Sequence, residues 1–171
     1  MKTSEILNRF NAYNGKDKLI GCTSEFTLPD IEFMTETINA LGLLGEIEVP
    51  AIGHISPMEM DIPFLNLADD IYTFFNVSSG VNLTLRGAMQ VVNPANGARS
   101  FVQLRIVIKG VAKKITGGTL KQGAPGNPAV TTTVNYLLIE YNGKKKLEID
   151  KYNSVFKVNG KDILSDVTKM C

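Results

Sequence analysis

The sequence predicts an α+β domain that is mainly β, with antiparallel strands and one or two short helices. Three observations support this: strand-like alternation along most of the chain, Asn-Gly turns between alternating runs, and helical spacing confined to short segments. The 171 residues suffice for one domain with a real core, and no internal repeat or linker divides residues 1–171.

The elements follow in order. Phe10 to Tyr13 and Lys18 to Glu25 flank Asn14-Gly15 and predict a first strand pair. Ile31, Met34, Ile38 and Leu41 have helical spacing, but Gly42 and Gly45 interrupt it, so 31–44 reads as a helix or an ordered loop. Gly45 to Val49 and Ile55 to Ile62 are predicted to form a hairpin turning at Pro50 to His54. Asn66 followed by Asp69 resembles a capping box, and Leu67, Ile71, Phe74 and Phe75 fall on one face, so Leu67 to Phe75 reads as a short amphipathic helix.

Val81 to Val92 and Ser100 to Ile115 predict a long hairpin around the loop at 93–97. In its second strand Val102, Leu104, Ile106 and Ile108 take one face, and Gln103, Arg105 and Lys109 the other, which predicts a half-buried strand. Gly117 to Pro128 holds four Gly and two Pro and reads as a flexible loop without a phosphate-binding pattern. Val130 to Tyr141 and Lys145 to Asp150 flank Asn142-Gly143, the strongest short hairpin signal. Val155 to Val158 runs into Asn159-Gly160, and Ile163, Leu164, Val167 and Met170 suggest a second helix.

The balance of 44% hydrophobic and 20% charged residues is that of a globular protein, and no apolar run approaches the roughly 18 residues that span a bilayer. Lys2, Glu5 and Arg9 interrupt the first ten residues, so no signal-peptide core is seen and folding in a cytoplasm is expected. Cys22 and Cys171 make no disulfide framework and are expected to be free thiols.

The net charge of +1 hides an asymmetry. Residues 19–80 contain ten acids and no Lys or Arg, whereas residues 81–139 contain seven bases and no acid. Either the two halves neutralise each other inside one fold, or the acidic part of one subunit meets the basic part of another.

Catalysis needs a positioned acid, base, nucleophile or metal. His54 is the single histidine and has no Cys or His cluster to complete a zinc site, so a structural or surface role is expected. Cys22 lacks a nucleophile signature and reads as a core thiol, and Ser78-Ser79-Gly80 lacks the Gly-x-Ser-x-Gly frame. No catalytic, metal or cofactor-binding residue is predicted.

Glu46 and Glu48, like Glu59 and Asp61, are spaced two apart, so on strands each pair shares a face. On the two arms of one predicted hairpin they form a carboxylate cluster. It is a solvated face, an acidic wall or an ion-pair surface between subunits; nothing beside it completes an acid–base enzyme. Lys144 to Lys146 and Lys113-Lys114 raise nucleic-acid binding. Trp is absent, however, and no aromatics interleave with the bases, so a small nucleic-acid-binding β-barrel is the second reading.

Several segments taken together resemble the major tail tube family of contractile-tailed phages. They are Thr27-Leu28-Pro29-Asp30-Ile31-Glu32, Thr35-Glu36-Thr37-Ile38, Gly45-Glu46-Ile47-Glu48-Val49-Pro50, Leu85-Arg86-Gly87-Ala88, Leu147 to Asn153, and Val158 to Leu164. The resemblance runs from about Ile6 to Val167. It implies a sandwich- or barrel-like tube fold whose strands join a ring-wide barrel in a homohexamer. The rings stack into an inner tube inside a sheath, capped by baseplate and terminator proteins, and pass the tape-measure protein and genomic DNA without specific binding. R-type bacteriocins use such a tube without a genome, so the expected location is a virion tail or a bacteriocin particle assembled in a bacterial host cytoplasm.

The resemblance also implies a stacking segment at 31–44, with Met34, Ile38, Leu41, Leu43 and Leu44 in contact with a neighbouring ring or subunit. A channel that passes a polyanion is best lined by carboxylates, and Glu46, Glu48, Glu59 and Asp61 are the candidates. The competing expectation pairs these acids with Arg86, Arg105 or Lys109 across a subunit boundary.

Overall fold

The computed structural model describes residues 2–19 and 21–171. Its strands are β1 (Thr3–Asn14), β2 (Asp17–Lys18), β3 (Phe33–Ile38), β4 (Ile47–Ile55), β5 (Met58–Pro63), β6 (Val81–Val92), β7 (Arg99–Thr116), β8 (Ala129–Tyr141), β9 (Lys144–Asp150), β10 (Val155–Val158) and β11 (Lys161–Asp162). Two short helices, α1 (Asp69–Tyr72) and α2 (Ser165–Met170), complete the described elements. The main sheet runs β11-β10-β9-β8-β7-β6-β1-β2, with β5 also paired to β8, while β3 and β4 form a separate two-stranded sheet. The pairings are antiparallel throughout, as the hairpin signals predict.

The predicted Asn142-Gly143 turn forms for the expected reason. Asn142 and Gly143 both take positive φ, at 53° and 70°, which is the left-handed pair a two-residue turn between β8 and β9 requires. β6 and β7 pair without interruption from Val81↔Gly110 to Val92↔Arg99.

β7 and β8 organise the rest. Their register slips twice: Lys109 faces Tyr136 while Gly110 faces Val134, and Ala112 faces Thr132 while Lys114 faces Thr131. The extra residues are Asn135 on β8 and Lys113 on β7. Such bulges bend a strand and redirect its side chains. At Asn135, β8 changes partner: Ala129 to Val134 pair with β5, whereas Tyr136 to Tyr141 pair with β9. The freed Asn135 carbonyl accepts the Lys151 N–H at 3.0 Å, so the bulge leaves no orphan there.

One apolar cluster fills the space this bend encloses. Met58, Met60 and Ile62 of β5 meet Leu83, Leu85, Ile106, Ile108, Leu137 and Ile149 of the main sheet, and Phe64, Ile71 and Phe74 close one side. Met58, Ile62, Leu83 and Ile108 are essentially inaccessible, and each such side chain contributes roughly 1.5–3 kcal/mol by leaving water.

Several expectations are corrected. Strand β1 begins at Thr3 rather than Phe10, because bulges between Ser4 and Ile6 and between Leu7 and Arg9 break the alternation that marks a strand in sequence. The predicted strand 18–25 reduces to the Asp17–Lys18 pairing and an isolated bridge from Cys22 to Phe64, and Ile20 lies outside the described residues. The predicted helix at 67–75 is the single turn Asp69–Tyr72. Asn66 does not cap it; its side-chain oxygen accepts the Gly126 N–H at 2.9 Å. That contact helps anchor the loop 117–128, together with Asn127 N–H to the Leu65 carbonyl at 3.0 Å and Phe64 N–H to the Pro128 carbonyl at 2.9 Å.

Two stability measurements follow. Ile71 is fully buried, so Ile71→Asp places an uncompensated carboxylate in the core. It is expected to cost at least about 3 kcal/mol and lower the melting temperature by roughly 6–12 °C; a melt within a degree or two of the parent refutes this packing. At Gly110 a Cβ would overlap the Thr133 carbonyl oxygen. Gly110→Ala is therefore expected to cost about 1–3 kcal/mol by forcing the β7–β8 bulge apart, whereas Gly143→Ala, with open space around it, acts only through its turn.

Candidate assembly surfaces

The segment 31–44 is neither helix nor loop throughout. Thr35, Thr37 and Ile38 are β-branched, and Phe33–Ile38 form β3, which pairs with β4 through Glu36↔Val49 and Ile38↔Ile47. Gly42 and Gly45, at φ 95° and 94°, turn the connecting loop. The helical spacing of Ile31, Met34, Ile38 and Leu41 is thus overridden by strand pairing.

Strand β4 continues through the turn predicted at Pro50 to His54 as a bulge: its register on β3 jumps from Thr35↔Pro50 to Phe33↔Ile55, and Gly53 takes φ 84°. Pro50 is accommodated because each strand of a two-stranded ribbon has a free edge. The hairpin predicted between 45–49 and 55–62 does not exist, since β5 pairs with β8 instead. The four carboxylates are accordingly divided. Glu46 and Glu48 belong to the β3–β4 hairpin, where the Thr35 hydroxyl donates to Glu48 at 2.6 Å. Glu59 and Asp61 lie on the outer face of β5.

The hairpin is apolar and open to solvent. Met34, Ile38 and Leu43 are exposed, as are Ile47, Val49 and Ile52, and Leu41 and Leu44 at its tip stand fully in solvent, at 108% and 107%. All five residues expected to make a stacking contact are therefore on one projecting ribbon. Its acids Glu36, Glu46 and Glu48 enter no ion pair among the described residues. Its base is fixed by Phe33, whose ring meets Phe156 edge-on at 5.7 Å, and by Gly53, where a Cβ would strike Leu164.

On β5, Glu59 pairs with Lys113, the residue the β7 bulge pushes outward, and Asp61 accepts the Thr131 hydroxyl at 2.6 Å. Glu25, Asp30 and Lys114 line the same open groove, giving it four carboxylates against two ammonium groups. The three basic residues expected at a boundary find partners inside the subunit. Arg105 binds Glu140 at 3.0 Å, Arg86 lies over the Tyr13 ring at 5.4 Å, and Lys109 lies over Tyr136 at 5.2 Å. Tyr136 donates to Glu148 at 3.1 Å; burial, then that carboxylate, push its hydroxyl up to about 12.

The remaining reactive groups are dispersed. His54 is exposed on β4 and lines a cleft with Lys151, Leu164 and Cys171. Cys22 is half-buried against the core rather than inside it as expected, and burial pushes its thiol up to about 11, with the charge of Asp70 adding to it. Both cysteines are free. No group of three potential metal ligands occurs among the described residues.

Comparison with known proteins agrees with this geometry. The chain is 26% identical over 145 residues to the tail tube protein of Escherichia phage P2, covering 84% of this chain and 83% of that one. Its fold is similar to a chain of the PVC sheath–tube complex, an extracellular contractile injection system in the extended state (TM-score 0.53, 10% identity, 77% of this chain and 88% of the other). It is equally similar to a chain of the anti-feeding prophage cap, the tube terminating cap (TM-score 0.53, 11% identity, 77% and 87%). The family model described as phage tail tube protein FII matches residues 4–170, and the chain belongs to that family.

Proposed function

We propose that this chain is the structural subunit of the inner tube of a contractile phage tail or injection particle, acting by self-assembly rather than by catalysis. The observation that carries the proposal is the β3–β4 hairpin: a ribbon paired outside the main sheet on which Met34, Ile38, Leu41, Leu43, Leu44, Ile47, Val49 and Ile52 are all exposed. Homohexameric rings stacked into a tube are the assembly proposed, with edge strands closing a barrel around the ring. Stacking is heterologous and does not close, which is the symmetry of a filament. The sheath, baseplate and terminator are the proposed protein partners, by analogy with the sheath–tube complex and tube cap whose chains share the fold. The tape-measure protein and genome, or ions in a bacteriocin-like particle, are the proposed traffic.

The wall proposed for the channel is the acidic face of β5, with Asp61 and Glu59, and not the four-carboxylate hairpin expected from sequence. Glu46 and Glu48 travel with the stacking ribbon. Duplex DNA carries about one charge per 1.7 Å of axis, so a basic wall would hold it at many points while a mildly acidic one lets it slide. Six-fold repetition makes a small excess of carboxylates per subunit into a continuous field.

Electron microscopy of purified protein tests the assembly: rings or tubes are expected, and persistent monomers at high concentration refute it. Ile38→Ser with Leu41→Ser is expected to leave the melting temperature within a few degrees of the parent and to abolish tube growth; normal tubes from this variant remove the hairpin from the interface. For the wall, Glu59→Lys with Asp61→Lys is expected to assemble but to impair genome delivery. Normal delivery rules out the wall, and failed assembly with salt-weakened parent tubes assigns these acids to ion pairs between subunits instead.

A further inference from the structure

If the hairpin mediates stacking, the same chain must carry a surface that receives it, and one groove fits. Strand β1 pairs with β6 along one side, but on its other side only Tyr13 and Asn14 pair with β2, and the Ala12 carbonyl accepts Leu19 N–H. From Thr3 to Asn11 that edge has no strand partner among the described residues. Beside it the segment 21–28 lies across the sheet and leaves an apolar cavity of about 130 Å³ lined by Leu7, Phe10, Phe26, Leu28, Leu85 and Leu104, among others, none of them charged. Phe10 and Phe26 meet edge-to-face at 5.7 Å in its lining, Leu85 and Ile106 are its buried members, and Leu7 and Leu28 stand half-open at its rim. A recess with such a lining, open at Leu7 and Leu28, accepts an apolar group.

The adjoining groove is lined by β1 with Leu19, Cys22, Thr23 and Ser24, and Arg9 is the one charged residue along it. Arg9 is exposed and enters no ion pair among the described residues. The hairpin has the complementary pattern: two fully exposed leucines at its tip, carboxylates at Glu36, Glu46 and Glu48, and no Lys or Arg. An apolar knob ringed by negative charge therefore matches an apolar socket bordered by a guanidinium, and both belong to one chain.

We propose that the groove between β1 and the 21–28 segment is the socket for the β3–β4 hairpin of a second copy, with Leu41 and Leu44 entering the Leu7/Phe10/Phe26/Leu28 cavity. The proposal rests on the tube reading and names the contact by which rings stack. A patch on one part of the surface entering a pocket elsewhere on an identical molecule is a heterologous contact, and repeated without closure it generates a filament.

The test uses full-length protein with Cys171→Ser, into which Leu28→Cys and Leu44→Cys are introduced singly and together. After mild oxidation of assembled material, the double variant is expected to run as a ladder of covalent oligomers on a non-reducing gel. The single variants, which retain Cys22, set the background and should stay largely monomeric. Tubes without a ladder overturn the socket while leaving the tube reading intact; a parent that forms no tubes and no ladder overturns both. A second variant, Leu7→Asp with Leu28→Asp, changes only half-open rim positions and is expected to keep the parent's melting temperature while mean tube length falls at least tenfold. Tubes of normal length from this variant overturn the proposal. So does a Leu44→Cys thiol that links to a copurified sheath-like protein in preference to the thiol of Leu28→Cys. If the aspartate variant fails to fold, the ladder alone decides.

Discussion

The partner change of β8 at Asn135 is the constraint from which the rest of this subunit follows. A strand that served one neighbour along its full length would extend a single open sheet, and the apolar faces of β5 and β9 would have nothing to cover them. By bulging at Asn135, β8 gives its first half to β5 and its second to β9, and the enclosed space becomes the core. Gly110 is the residue that permits this, because the β7 backbone there lies against the Thr133 carbonyl with no room for a side chain. The second bulge has an external consequence: it turns Lys113 out toward Glu59, so the charge pattern on the outer face of β5 derives from the geometry that builds the core.

The chain's charge asymmetry acquires a physical meaning once the strands are placed. Of the acids between 19 and 80, Glu59 has a basic partner from the 81–139 half in the same subunit, namely Lys113. Arg105 turns instead to Glu140, and Arg86 and Lys109 to aromatic rings. Self-neutralisation inside the fold thus reaches little of the acidic half, and the hairpin acids Glu36, Glu46 and Glu48 remain in solvent. Exposed ion pairs contribute at most about 1 kcal/mol each, so this arrangement does little for the monomer's stability. Its larger effect is on which surfaces can approach each other.

What the sequence made legible was the part written in two-residue periodicity and turn chemistry. The pairs β6–β7 and β8–β9 emerge close to their predicted bounds because Leu104, Ile106 and Ile108 alternate cleanly and Asn142-Gly143 admits one kind of turn. Bulges hid the remainder. In β1, Ile6 and Leu7 are adjacent apolar residues, which looks irregular until the register shifts around them are seen. In 31–44 the apolar residues fall at helical spacing because the ribbon packs neither face on the core, so no buried face enforced alternation. The alternation of Thr35, Glu36, Thr37 and Ile38 was the signal available. The candidate stacking residues rest on resemblance alone, whereas the grouping of four carboxylates fails because Pro50 to His54 lie within β4, and β5 pairs with β8.

The hairpin also raises a question of restraint. An exposed apolar ribbon with two free edges is the kind of surface that pairs with copies of itself and aggregates. Here the ribbon bears carboxylates and no Lys or Arg, and Pro50 removes one donor from the outer strand. Two such hairpins laid side by side would bring like charges together. At about 4 Å a like-charged pair costs roughly 1 kcal/mol in water and about 4 kcal/mol where the surroundings are partly desolvated. With several acids on each ribbon, that repulsion opposes the symmetric hairpin-to-hairpin contact while leaving a contact with a basic or neutral apolar surface unpenalised. The symmetric contact would end growth at a dimer, since an isologous interface is used up by one partner. Excluding it keeps the ribbon available for the heterologous contact proposed for stacking, so under that proposal the one-sided charge on the ribbon acts as an instruction about symmetry more than as a source of affinity.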